Sequence, residues 1–253
     1  MAEVLLDRSD RVAVITVHDP ERRNALTLDL SDRLADAVRT CESDPGVHAV
    51  VVTGTPPAFC AGADLTVLGE AREEGLRRIY AGFLAVANCS LPTVAAVGGA
   101  AVGAGLNLAL ACDVRVVGPR ARFDPRFLRL GIHPGGGMTW MLQRLVGPQT
   151  ATAMTLFGQV LDADAAVARG LAWQRVEGGH DELVAAAAEL ARPAADAPRD
   201  LVRTTKASMR ATADLADHGR AVDVELAPQA ASIGTPEFQA GLAAAKGRIS
   251  GKG

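Results

Sequence analysis

Three glycine-bearing segments hold the residue types that could do chemistry. The first is Ala58–Leu65 (AFCAGADL). Its small residues, with Gly62, let a ligand come close to the backbone. It lies after a strand-like run and before helical sequence, where an unoccupied N–H can point at an anion. The second is Gly98–Asn107 (GGAAVGAGLN), again between a strand and a helix. There Gly103 and Gly105 flank Ala104 at the helix start, and first-turn N–H groups have no partner within their own helix. The third is Phe123–Gly137 (FDPRFLRLGIHPGGG), which gathers Asp124, Arg126, Arg129 and His133 beside three consecutive glycines.

Rival chemistries for these segments are weak. A dinucleotide loop reading from Gly103 needs a third glycine where Leu108 stands, and no G-K-[ST] follows for a P-loop. There is no G-x-S-x-G elbow to present a nucleophilic serine. A single histidine beside Pro-Gly is more often a turn residue than a catalyst, and Asp124-Pro125 is a common turn pair. The first segment could also be a tight connection with no ligand at all.

The elements that must position these segments alternate. Glu3–Asp7 and Arg11–His18 read as strands, the second β-branched and apolar. The spacing of Leu30, Leu34, Val38 and Cys41 predicts a helix over Leu28–Glu42 with Thr27 as its N-cap. Strands follow at His48–Gly54, Pro92–Val97 and Val114–Gly118. Between them lie a long loop over Thr55–Asp64, helical sequence to Asn88, and a short helix at Ala104–Cys112. This alternation predicts strand–helix–strand units and a mainly parallel sheet. From Gly135 the pattern is mostly helical, broken at Gly147-Pro148, with one last short strand over Leu171–Val176. Pro193–Pro198 is the best boundary. It divides a core over 1–195 from a helical segment over 196–253, with helices near Leu201–Ala213, Asp217–Ser232 and Thr235–Arg248.

Bulk composition narrows the field. The 253 residues are 49% hydrophobic and 22% charged, ordinary for a globular domain, and only 4% aromatic. A core of small aliphatics suits buried parallel strands. The net charge of -3 gives no nucleic-acid footprint. No apolar run is long enough to span a membrane, and the N-terminus does not read as a signal peptide. Cys41, Cys60, Cys89 and Cys112 are scattered, which predicts buried free thiols in a reducing, cytoplasmic setting and no zinc site.

The order ERRNAL (Glu21–Leu26), FCAGADL (Phe59–Leu65), PTVAAVGGAAVGAGLNLALACD (Pro92–Asp113) and LGIHPGGG resembles the crotonase superfamily of enoyl-CoA hydratases and isomerases. The resemblance implies a spiral of ββα units with a helical C-terminal segment that assembles trimers or dimers of trimers. It also implies an acyl-CoA thioester as ligand, with coenzyme A entering as part of the substrate and no resident cofactor or metal. Two backbone N–H groups, here Ala63 and Ala104, would form an oxyanion hole for a thioester enolate. Arg22, Arg23, Ala25, Ala61, Asp64, Leu65 and Gly103 would line the coenzyme A path. The family's two catalytic glutamates fall at Asn107 and Phe127 in this sequence. Hydration needs an acid/base pair, which neither residue supplies. The reading is therefore a family enzyme with an altered acid/base set, for which Asp124, His133 and Asn107 are the candidates. The alternative is a non-catalytic acyl-CoA sensor or carrier. A third reading is kinship of fold alone, with no coenzyme A bound.

Overall fold

The computed structural model describes residues 2–250. Its contacts divide the chain into two units, the first running to Ala195 and the second starting at Asp196.

The first unit is a spiral. Strand β1 (Glu3–Ser9) turns at Asp10, whose φ is 53°, into antiparallel β2 (Val12–His18). Helix α1 (Leu28–Ser43) follows. Thr27 Oγ1 accepts the Leu30 N–H at 3.1 Å, as the cap reading requires, and Leu30, Leu34, Val38 and Cys41 are buried. Three ββα turns come next. They are β3 (Ala49–Gly54), β4 (Ala58–Cys60), α2 (Leu65–Glu70) and α3 (Glu73–Asn88); β5 (Thr93–Val97), β6 (Ala100–Val102) and α4 (Ala104–Ala111); and β7 (Val114–Val117), β8 (Arg122–Asp124) and α5 (Met138–Thr155). The unit closes with β9 (Leu161–Asp162), α6 (Ala163–Ala168), β10 (Gln174–Arg175) and α7 (His180–Asp196).

Each turn gives one strand to each of two sheets. The larger sheet runs β1-β2-β3-β5-β7-β10, parallel from β2 onward, and the smaller runs β4-β6-β8-β9. Strands β3 and β5 are buried at every residue and are apolar on both faces except at Thr53 and Thr93, whose hydroxyls are hydrogen-bonded. The expected mixed α/β spiral is therefore present.

The whole smaller sheet departs from the sequence reading. Strand β4 lies inside the expected loop Thr55–Asp64, and β6 inside the expected glycine turn. Three-residue strands are too short for a periodic signal. The break at Gly147 is real: its φ of 74° interrupts α5. Within the expected break Pro193–Pro198, α7 runs through Pro193 and ends at Asp196, where the two units divide. A proline removes one helical donor but leaves the following turn free to continue.

Helix α3 is fixed on α1 by a hydroxyl. Ser31 Oγ lies 3.0 and 2.9 Å from the Arg78 and Ile79 carbonyl oxygens and accepts the Gly82 N–H at 3.0 Å. A Cβ on Gly82 would stand 2.8 Å from the Ser31 carbonyl oxygen, so glycine allows this approach.

The second unit contains α8 (Arg199–Thr212), α9 (His218–Ile233) and α10 (Pro236–Ser250). Leu201, Met209, Val222, Leu226, Ile233 and Phe238 are exposed on these helices. No helix among the described residues is long and apolar enough to cross a membrane.

Candidate active site

The site begins with Asn24. Arg23 and Asn24 take left-handed backbone angles in succession, with φ of 55° and 58°. Asparagine tolerates that conformation better than most side chains. Asn24 is fully buried, and its amide ties three segments together. Oδ1 accepts the Asp19 N–H at 2.9 Å, while Nδ2 donates to the carbonyls of Thr55 at 2.8 Å and Ala58 at 2.9 Å.

This anchor sets the loop after β4. The Ala61 N–H donates to the Arg23 carbonyl at 3.0 Å. Leu26 donates to the Gly62 carbonyl at 2.7 Å and accepts the Asp64 N–H at 2.9 Å. Leu26 and Ala63 thus form an isolated parallel bridge. In such a bridge the middle residue turns its own N–H away from its opposite. The Ala63 N–H makes no hydrogen bond among the described residues. The Asp64 carboxylate is engaged locally, where its Oδ1 caps α2 by accepting the Thr66 and Val67 N–H groups at 3.0 and 3.2 Å. Leu65 is 67% exposed. Arg22 and Arg23 are exposed, and Ala25, Ala61 and Gly103 are half-buried.

The second loop meets the first. Gly103, with φ of 52°, precedes α4, and its N–H donates to the Asp124 carbonyl at 3.0 Å. Ala104 is the first residue of α4, and its N–H makes no hydrogen bond among the described residues. Every residue of α4 is buried. A Cβ on Gly105 would overlap the Cys60 carbonyl oxygen, so glycine there lets α4 press onto β4. A Cβ on Gly62, whose φ is 108°, would stand 2.8 Å from the Val102 carbonyl oxygen and 3.8 Å from the Ala104 nitrogen. The two loops are therefore in direct contact. The far end of α4 is covered by buried Arg115, which donates to the Cys112 carbonyl at 2.7 Å and the Leu171 carbonyl at 2.6 Å. A cation at the C-terminus complements the helix dipole and leaves the N-terminus for negative charge.

The acid/base candidates are dispersed. Asn107 lies one turn into α4 and is 1% exposed. Its Nδ2 donates to the Gly135 carbonyl at 2.9 Å, and its Oδ1 is buried with no partner among the described residues. Phe127 opens a short 3-10 turn, Phe127–Leu130, and packs on the core. Its Cζ would lie 4.0 Å from a Cβ on Gly103. Asp124 is buried, and its Oδ2 accepts Arg126 Nη2 at 2.7 Å and Nε at 3.0 Å. His133 is exposed, with Nδ1 2.6 Å from the adjoining Pro134 carbonyl oxygen. That contact places the ring proton on Nδ1. No contact joins Asp124 to His133 among the described residues.

One side chain beside the site carried no signal of its own in the sequence. Tyr80, on α3, lies so close to Gly135 that a Cβ there would overlap its Oη. A Cβ on Gly136 would overlap Asn107 Nδ2. The glycine run thus makes room for Tyr80 and Asn107. Burial pushes the Tyr80 phenol above its ordinary pKa, so it stays protonated at neutral pH. All four cysteines are buried and free, as expected. Burial raises Cys41 to about 11 and Cys60 to about 12.

A two-sheet spiral with a glycine-rich strand-to-helix junction is the crotonase architecture. Residues 7–249 match the enoyl-CoA hydratase/isomerase family, and the chain belongs to it. It is 57% identical over 254 residues to a "probable enoyl-CoA hydratase" of Mycobacterium tuberculosis, covering 97% of this chain and 98% of that protein. Among solved structures, an enoyl-CoA hydratase of Bacillus anthracis superposes with a TM-score of 0.89 at 27% identity, covering 97% of this chain and 96% of the other. A "putative enoyl-CoA hydratase" of Thermobifida fusca, solved in complex with CoA, superposes with a TM-score of 0.82 at 30% identity, covering 92% and 93%.

Proposed function

We propose that the chain binds an acyl-CoA thioester with its carbonyl oxygen between the N–H groups of Ala63 and Ala104. The observation that carries this is the pair of unpartnered amides on two loops in contact at Gly62. Donors fixed in a water-poor site favour an enolate oxyanion by about 3 kcal/mol each. The coenzyme A portion would pass Arg22, Arg23, Ala25, Ala61, Asp64, Leu65 and Gly103, where exposed guanidinium groups suit phosphates and small residues leave room. The fully buried Asn24 holds this wall in place.

The reaction class is thioester polarisation without the family's carboxylate pair. Asn107 cannot move a proton at useful pH, and Phe127, whose Cζ would lie 4.0 Å from a Cβ on Gly103, has no group that could. Asp124 would have to leave its Arg126 partner to act as a base, and His133 would have to swing in from solvent. Asn107 at the site therefore also supports the second reading, an acyl-CoA sensor or carrier that keeps the pocket and lacks the chemistry. Calorimetric titration with CoA and butyryl-CoA, paired with product assays on a panel of enoyl-CoAs, separates the two. Turnover supports the enzyme, and tight binding without turnover supports the sensor. Failure of both ligands to bind overturns the assignment.

A further inference from the structure

Arg115 stands outside the site and yet holds the helix that forms it. It is 5% exposed, and its guanidinium donates to backbone carbonyls. Nη1 reaches Cys112 at 2.7 Å and Ala109 at 3.4 Å, both at the C-terminal end of α4. Nε reaches Leu171 at 2.6 Å, past the end of α6, and Nη2 reaches Asp113 at 3.4 Å. The carbonyl of Arg115 itself accepts the Trp173 N–H at 2.8 Å, so its main chain and its side chain are both fixed on the segment after α6. The Asp113 carboxylate is engaged elsewhere, where its Oδ2 accepts the Thr93 N–H at 2.8 Å and the Thr93 hydroxyl at 3.0 Å. Burial lowers the guanidinium pKa, but arginine keeps its charge at neutral pH. A charge taken out of water is costly unless it is answered locally. Here the carbonyls at the negative end of the α4 dipole answer it.

Helix α4 connects this cation to the candidate donor. It has eight residues, all buried, with Ala104 first and Ala111 last. Solvent therefore screens little along its length. A helix of that length spans about 12 Å, which sets the guanidinium about 15 Å from an oxyanion at the Ala104 N–H. At an effective dielectric of about 20, a unit charge at that distance favours an anion about sixfold. A neutral carbonyl gains far less, because it carries no net charge. An interaction that favours the charged state over the neutral one is the kind that assists the reaction.

We infer that Arg115 is a positioning residue which, acting through α4, biases the Ala104 oxyanion site toward an enolate over the neutral thioester. The inference rests on the acyl-CoA reading above.

The test uses acetoacetyl-CoA, whose enolate is followed by its ultraviolet absorbance, with butyryl-CoA and free CoA as controls. Bound to the unmodified protein, acetoacetyl-CoA should ionise at a lower pH than in solution. Arg115→Gln removes the charge but keeps a donor for the Cys112 carbonyl. It should lower the ionisation constant of bound acetoacetyl-CoA about sixfold and leave butyryl-CoA and free CoA affinities unchanged. Arg115→Lys keeps the charge and should restore most of the difference. An unchanged ionisation constant in folded Arg115→Gln would overturn the inference alone. So would equal weakening of all three ligands, which would mark a purely structural role. Should Arg115→Gln fail to fold, the lysine variant decides: a retained enolate shift supports the inference, and its loss in folded protein overturns it. If no CoA thioester binds the unmodified protein, the acyl-CoA reading falls and the inference with it.

Discussion

Gly62 and Ala104 face each other across the site, the Ala104 nitrogen 3.8 Å from where a Gly62 Cβ would lie. The same Cβ would stand 2.8 Å from the Val102 carbonyl oxygen, and the Gly62 φ of 108° is one that side chains rarely adopt. Gly62→Ala should therefore push the loops apart and separate the Ala63 and Ala104 amides. Butyryl-CoA affinity should fall at least about tenfold, and the melting temperature should drop as backbone strain of about 1–3 kcal/mol is imposed. Unchanged affinity in calorimetry would show that loop contact does not set the donor geometry.

Ala104→Pro removes one donor with little other disturbance. Ala104 is the first residue of α4, where proline is tolerated because that N–H has no helical partner. An enolate-mimicking CoA ligand should lose about 3 kcal/mol of binding, while free CoA loses little. Equal losses for both, in a variant whose circular dichroism matches the unmodified protein, would count against an oxyanion role for this amide.

Much of this site was legible in the sequence, but unevenly. Helix α1 and strands β3 and β5 announced themselves through periodicity or continuous burial. The Ala63 and Ala104 loops were marked by Gly62, Gly103 and Gly105, since close backbone approach needs glycine. The smaller sheet was not legible, because β4, β6 and β8 are three residues each and read as turns. Tyr80 was not legible either. On α3 it is one apolar-face aromatic three residues before Phe83, and only the packing of α3 on α1 and of Gly135 beside it gives the hydroxyl a place. Asp124 and His133 looked promising by proximity in sequence. The fold instead gives Asp124 to Arg126 and turns His133 to solvent.

The buried thiols make a pH prediction. Cys41 is raised to about 11 and Cys60 to about 12 by burial, so the native state holds these protons more tightly than the unfolded chain. Their contribution to stability is complete below the ordinary thiol range, then lost as pH climbs through about 9 toward the raised values. The melting temperature should fall across that alkaline window, and a thiol reagent at neutral pH should label the native protein only slowly. Four thiols should then react on unfolding. Rapid native labelling of Cys60 would contradict its burial.

The helices of the second unit leave Leu201, Met209, Leu226 and Phe238 exposed, more apolar surface than an isolated helical segment tolerates well. We expect three or six copies of the chain to cover it. Light scattering at micromolar concentration should give a mass of three or six chains, and Met209→Glu with Leu226→Glu should lower it. A mass near one chain for the unmodified protein would refute the assembly.

Hydration of crotonyl-CoA should be slow or undetectable. The positions where the family's carboxylates are expected carry Asn107, whose amide is tied to Gly135, and Phe127, packed on the core. A positioned general acid or base contributes about 10²–10⁴-fold. The two act as a unit, so the combined loss is large without being the product of the parts. Asn107→Glu with Phe127→Glu should raise the rate, followed by loss of the enoyl-thioester absorbance. The gain has a structural cost. A carboxylate at position 107 meets the Gly135 carbonyl oxygen in place of a donor, and one at position 127 replaces an aromatic ring at the edge of the core. Burial would raise both carboxyl groups, so the recovered activity should pass through a maximum, rising as one carboxyl ionises to serve as base and falling as the other loses the proton it must donate. Robust hydration by the unmodified protein would defeat the prediction and make Asp124→Asn and His133→Ala the variants to assay. Of these, Asp124→Asn would also release Arg126. A fall in hydration with unchanged butyryl-CoA affinity in Asp124→Asn would then assign the proton transfer to Asp124.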